Sequence, residues 1–241
     1  MPMDALLLVA RGLWEELAGV PVSFAPTGGV SVVVSAESGL CPAGWVGVVA
    51  LGGSVLVTVP DRSAAALVRD APAGLWTEAV VDEALVREAL PVAGTLGPAA
   101  LSYVSPEGFR PVRAGVLPVE QLPAGQPELR RLEAAAGDTD AGEAGLSGIT
   151  SPVFVVRERG EVVAAAGYEV WPARTAHLSV LTAPAARGRG LARVTGSAAV
   201  AHALAAGLLP QWRARPPASR RVAAALGFTE LGSQLSIELD R

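Results

Sequence analysis

The run Arg187-Gly188-Arg189-Gly190-Leu191-Ala192 joins two glycines and two arginines to the start of an apolar, helix-forming stretch. Residues of these types in this order can hold an anion. Glycine lets the backbone approach a ligand closely, and the first amides of a helix have no partner inside it. The helix dipole and the guanidinium groups both favour negative charge. The surrounding sequence points the same way. No Asp or Glu occurs from Val170 to Thr229, while that stretch holds Arg174, Arg187, Arg189, Arg193, Arg213, Arg215, Arg220 and Arg221. Such a segment builds a positive local field inside a protein of net charge −4, so a bound polyanion is expected there. Two nucleotide loops are excluded. A P-loop ends in Gly-Lys-Ser/Thr, and this chain has no lysine. A dinucleotide fold needs a third glycine or alanine where Arg193 stands, and an acid about twenty residues on to hold the ribose.

The elements around the run would place it at the mouth of a sheet. Leu178 to Thr182 reads as the end of a strand that begins at Ala176, and Ala183-Pro184 leads from it into the glycines. Gly188 to Ala206 reads as a helix, with Gly207 as its C-cap. Upstream, Val153 to Arg157 and Val162 to Val170 flank the turn Glu158-Arg159-Gly160 as a hairpin. Downstream come an extended Leu208 to Arg215 disturbed by Pro210, a helix from Ser219 to Leu226 ended by Gly227, and a last strand from Leu235 to Leu239. The order is hairpin, strand, helix, strand, helix, strand. That is an α+β mixed sheet with one parallel crossover.

The earlier part of the chain reads as a smaller α/β domain. Asp4 to Leu17, Ser63 to Val68 and Ala79 to Leu90 have helical spacing; Val30 to Val34, Trp45 to Val59 and Ala99 to Val104 look like strands. Gly52-Gly53 would turn the second of these into a hairpin. The segment Gln121 to Gln126 reads as a linker, Pro127 to Ala136 as a helix, and Gly137 to Thr150 as a short helix or a cover. We divide the chain at residues 1–110 and 111–241. Cys41 is the only cysteine, so neither an internal disulfide nor a structural zinc site can form. The apolar run Ala5 to Ala10 fits neither a secretory signal nor a spanning helix. A cytoplasmic protein without nucleic-acid or membrane partners is expected.

The stretch Ser179 to Ala192 resembles the acetyl-CoA-binding signature of the GNAT superfamily of N-acetyltransferases. Gly207 to Trp212 and Ala218 to Phe228 are similar to that superfamily's splayed strand and closing helix, and the likeness covers residues 112–241. It extends to a branch with a divergent N-terminal half, which could be a degenerate copy of the same fold, a cover for the cleft, or a surface for homodimerisation. The resemblance implies that backbone groups of Val180, Leu181 and Thr182 hold the pantetheine arm. It implies that Arg187, Gly188, Arg189, Gly190, Leu191 and Ala192 hold the pyrophosphate, with acetyl-CoA as co-substrate and no metal. Three positions depart from the pattern: Ala185 where Gln or Arg is frequent, Pro216 where Asn is, and Ala223 where a Tyr often serves as the acid for the thiolate.

Transfer to an amine requires a neutral nucleophile, a stabilised oxyanion and a base, because the CoA thiolate is a fair leaving group. Glu169, beside the cofactor strand, is the first candidate for the base, with an exposed strand residue as the plainer alternative. Ser219 is expected to cap its helix and could also touch the thiol. His177 at a strand start, Tyr168 on the opposite sheet face, and His202 in the Ala-rich helix are weaker candidates. Trp171 and Trp212 read as core or cleft-wall aromatics. The expected activity is acetyl transfer from acetyl-CoA to a small-molecule or peptide amine by direct attack in a ternary complex. The alternative is a CoA-binding or regulatory protein without catalysis. The acids from Asp138 to Glu143 could favour a cationic acceptor.

Overall fold

Leu6, Ala10, Leu13 and Trp14 recur at the spacing of one helix face, and helix α1 (Met3–Leu17) buries that face. The structure, a computed structural model, describes residues 3–72, 75–78, 83–112 and 118–240. The chain divides into two compact units, residues 1–102 with 230–241, and residues 103–229. None of the described helices is long and apolar enough to cross a membrane.

The first unit holds β1 (Val30–Val34), β2 (Val46–Leu51), β3 (Ser54–Val59), α2 (Arg62–Asp70), α3 (Leu75–Glu78), α4 (Glu83–Ala89) and β4 (Val92–Tyr103). Residues 79–82 of the helix expected from Ala79 to Leu90 lie outside the described residues. Strand β10 (Thr229–Leu239) joins this sheet beside β2, so the order is β1-β3-β2-β10-β4. Gly52 and Gly53 have φ of +57° and +78°, the left-handed pair that a two-residue hairpin needs. β2 and β3 are therefore antiparallel, whereas β1 lies parallel to β3. Valines of β2 and β3 pack with Ala65 and Val68 of α2, Trp76, Leu235 and Ile237 into the core of this unit.

The second unit is a meander followed by a crossover. It contains β5 (Glu120–Leu122), α5 (Pro127–Ala136), α6 (Asp138–Ala144), β6 (Val153–Glu158), β7 (Glu161–Trp171) and β8 (Thr175–Thr182). These are followed by α7 (Leu191–Ala205), β9 (Leu209–Ala214) and α8 (Pro217–Ala225). The sheet order β9-β8-β7-β6-β5 is antiparallel except between β8 and β9, which α7 connects as the single parallel crossover. Side chains alternate across the strands, so one face of β8 meets α7 and the other meets α5. Ala176 and Leu178 pack with Ala199, Val200 and Ala203 of α7. Leu181 packs with Leu129 and Leu132 of α5.

Candidate functional site

β8 and β9 pair for three residues only, the last being His177 opposite Gln211. Beyond that point β8 continues to Thr182 and β9 to Ala214 with no further pairing between them. The edge of β8 from Leu178 onward is therefore open on the β9 side. A cavity of about 430 Å³ lies where the strands part, walled by Val180, Leu181 and Thr182 on one side and Trp212 on the other. This is the size of a small-ligand cleft.

The loop after β8 closes one end of the cavity. A short 3-10 turn at Pro184–Ala186 leads to Gly188 and Gly190, with φ of +77° and +79°. These are left-handed values that a side chain would strain. A Cβ built on either glycine meets nothing within 4 Å, so the glycines serve the backbone turn and leave space beside it. Gly190 is the N-cap of α7, and no side chain caps that helix. Among the described residues, none of the amides of residues 188–192 donates to a backbone acceptor. These donors lie at the positive end of a 15-residue helix, the arrangement that binds phosphate. Thr182 Oγ1 is buried and has no partner, which leaves a further polar group beside the loop.

The remaining wall comes from α8. Trp212 is buried and donates its indole N–H to Ser219 Oγ at 2.9 Å. Its ring meets Phe228 edge-on at 5.5 Å, and Gly196 of α7 leaves it room, since a Cβ there would lie 3.3 Å from the indole. Ser219 is not the helix cap expected from the sequence. The helix begins two residues earlier, its N-cap is Pro216, and no side chain bonds to the first amides. The Ser219 hydroxyl is instead on the cavity wall with Pro216, Ala218 and Val222. Because its oxygen accepts from Trp212, its own proton remains available to another acceptor.

Of the residues expected at the cofactor, Val180, Leu181, Thr182, Arg187, Gly188, Gly190, Leu191 and Ala192 line the cavity. Arg189 does not. Its guanidinium turns to the Glu158 carboxylate, with Nη1 2.9 Å from Oε2. Glu169 is also absent from the wall. Its Oε2 accepts from Trp171 Nε1 at 2.9 Å, which fixes the indole and leaves the carboxylate outside the cleft.

A second polar cluster sits at the apex where the strands part. His177 Nδ1 lies 2.5 Å from Gln211 Oε1, and its ring stacks on Trp171 at 4.0 Å with an interplanar angle of 9°. The Arg213 guanidinium lies over the same indole at 5.8 Å. Burial, reinforced by the Arg213 charge and opposed by the Gln211 hydrogen bond, pushes the imidazole down to about 4. The folded protein thus keeps His177 neutral. Between its ordinary value and about 4 the unfolded chain takes up the proton first, so this group costs stability as pH falls through that window. Tyr168 and His202 pair with each other at 2.9 Å, and Tyr168 packs in the core beneath α7.

Asp140, one of the acids expected to favour a cationic acceptor, is also on the cavity wall, where its Oδ2 lies 2.5 Å from Arg187 Nη2. Glu143, one helical turn on, accepts from Arg215 Nε at 2.8 Å. Burial works against the charge on Glu143, but the Arg215 hydrogen bonds hold its carboxyl below the ordinary range. Two of the three carboxylates expected to attract a cationic acceptor, Asp140 and Glu143, are therefore already paired with arginine. Only their (i, i+3) spacing on one helix could have signalled this, and that spacing is too common to identify a partner.

Residues 153–233 match the model of the GNAT acetyltransferase family. Among solved structures, a GNAT-family protein from Novosphingobium aromaticivorans DSM 12444 is 22% identical over 61% of this chain and 65% of its own, with a TM-score of 0.49. A GCN5-related N-acetyltransferase from Kribbella flavida is 18% identical over 64% of this chain and 62% of its own, with a TM-score of 0.48. A GCN5-related N-acetyltransferase-like protein from Streptococcus suis 89/1591 is 15% identical over 81% of this chain and 84% of its own, with a TM-score of 0.47. The chain spans less than two thirds of the first two of these structures. No curated protein matches it.

Proposed function

We propose that the protein transfers an acetyl group from acetyl-CoA to an amine, a reading supported by the match of residues 153–233 to the GNAT acetyltransferase family model. The observation that carries this reading is the run of unpaired amides at 188–192, set at the end of a cavity that opens along a strand edge. That run matches a pyrophosphate, and Arg187 adds a charge-assisted donor. The free edge of β8 from Leu178 to Thr182 suits the amide groups of a pantetheine arm, as in strand addition. Acetyl-CoA supplies the acetyl group as an activated thioester.

This chain's contribution is binding, orientation and one hydrogen bond to the leaving group. The loop and β8 orient the thioester toward the apex of the cleft, near His177 and Gln211. Trp212 and Val222 keep water from one side. The Ser219 hydroxyl, its oxygen held by the Trp212 N–H, donates a hydrogen bond to the departing thiolate as the carbon–sulfur bond breaks and the carbon–nitrogen bond forms, and the thiolate takes its proton from solvent. The acceptor amine reaches the thioester neutral, and its proton leaves to solvent.

Titration calorimetry with acetyl-CoA tests this reading. Saturable binding that Gly190→Arg abolishes is expected; no heat and no rise in melting temperature at millimolar acetyl-CoA would overturn it. A second reading, CoA binding without catalysis, is favoured by two features. Among the described residues the only carboxylate on the cavity wall, Asp140, is paired with Arg187, and Ala223 lies in the core where the family often places a tyrosine. Release of free CoA thiol with a panel of primary amines would exclude it.

A further inference from the structure

Helix α6 buries no side chain. It is bounded by Gly137 and Gly145, both in left-handed backbone conformations with φ of +86° and +60°, and it contains Gly142. Its carboxylates reach in two directions. Asp140 pairs with Arg187 of the phosphate loop after β8, and Glu143 pairs with Arg215 beyond the end of β9. One helix thus fastens both lips of the cleft, held by exposed ion pairs together with the partly buried Ala144, which packs at its C-terminal end against the α5 and β8 core. Ser179 Oγ donates to the carbonyl of Gly145 at 3.3 Å, so the C-terminal end of the helix is also tied to β8. Elements with few buried contacts open at low cost.

Arg187 therefore has two anionic claimants. Asp140 holds it in the free protein, and the same guanidinium lines the cavity end where the unpaired amides gather. We propose that α6 is a clasp that the cofactor opens: the pyrophosphate takes Arg187 from Asp140, and the released carboxylate, repelled by the bound anion, carries the N-terminal end of α6 away from the loop about Gly145. The inference rests on the acetyl-CoA reading above. Loading the cofactor would then move the N-terminal end of α6 off the loop while its C-terminal end stays tied to β8.

The magnitude is bounded by the pair itself. An exposed Arg–Asp pair contributes little, so removing the competitor should tighten acetyl-CoA binding about two- to fivefold. Asp140→Asn keeps the shape and removes the charge. Calorimetry should give that tightening at low salt, and the difference from the native chain should shrink as ionic strength rises. Amide exchange supplies the readout that a purely structural role would not move. In the native chain, acetyl-CoA should speed exchange across residues 138–144; in Asp140→Asn exchange there should be fast without ligand and unchanged by it. Tighter protection of 138–144 on binding, or weaker binding by Asp140→Asn, would overturn the clasp while leaving the acetyl-CoA reading intact. Absence of any acetyl-CoA binding by the native chain would overturn that reading and the clasp with it. Fast exchange in ligand-free Asp140→Asn would then still report that Asp140 holds the helix.

Discussion

Each unit sends a strand into a helix through a short turn, and the two turns treat the first amides of that helix in opposite ways. In the first unit β3 leads to α2, and the Asp61 side chain accepts from Ala64 N at 2.9 Å. The helix supplies its own anion. In the second unit β8 leads to α7 through Gly188 and Gly190, and no side chain caps the helix. The same separation holds at α8, where Ser219 is bonded to Trp212 rather than to helix amides. A helix start becomes a ligand site when the chain withholds the carboxylate that would ordinarily fill it. The absence of Asp and Glu from Val170 to Thr229 is the sequence form of that rule.

The strongest test gives the second unit what the first already has. Gly190→Asp places a carboxylate at the head of α7, at a left-handed position that Asp tolerates better than most residues. Calorimetry should show acetyl-CoA affinity reduced about a hundredfold, the scale of losing charged hydrogen bonds. Melting temperature should change little, because the new cap offsets the backbone strain. Unchanged affinity would break the comparison. Next comes Ser219→Ala. Acetyl transfer, followed as CoA thiol release with any amine accepted, should fall about fivefold while acetyl-CoA affinity stays within a factor of two, consistent with loss of one hydrogen bond near 1 kcal/mol.

Asp61→Ala is the reciprocal change. It should cost about 1 kcal/mol of stability, read by denaturant midpoint, with no effect on acetyl-CoA binding. A loss of binding would mean that the first unit's cap serves the cofactor site. The smallest effect belongs to Arg189→Ala. Its guanidinium is paired with Glu158 and lies off the cavity wall, so affinity should change less than twofold. A larger loss would show that Arg189 leaves Glu158 for the cofactor, and would add it to the loop's donors.

Much of the fold was legible because its signals are local. Pro127 to Ala136 was read as a helix with the bounds the structure has, since Pro at the start and Gly137 after the end are sufficient markers. The hairpins at Gly52-Gly53 and Arg159-Gly160 followed from turn chemistry, and both pairs have positive φ. The open loop at Gly188 and Gly190 was legible for the same reason. Ser219 was misplaced as a cap because the two prolines before it move the helix start upstream.

By itself the sequence determined where helices and strands alternate, where the backbone must turn with positive φ, and where negative charge is withheld. Each depends on neighbours a few residues away. Only the tertiary structure decided which distant residues meet. Asp140 reaches Arg187, His177 reaches Gln211, Glu169 is turned to Trp171, and the last strand lies against β2 in the first unit. Those pairings depend on strand order and register, which a side chain's identity does not encode. One residue of slip would send His177, Gln211 and Glu169 to the other face of the sheet.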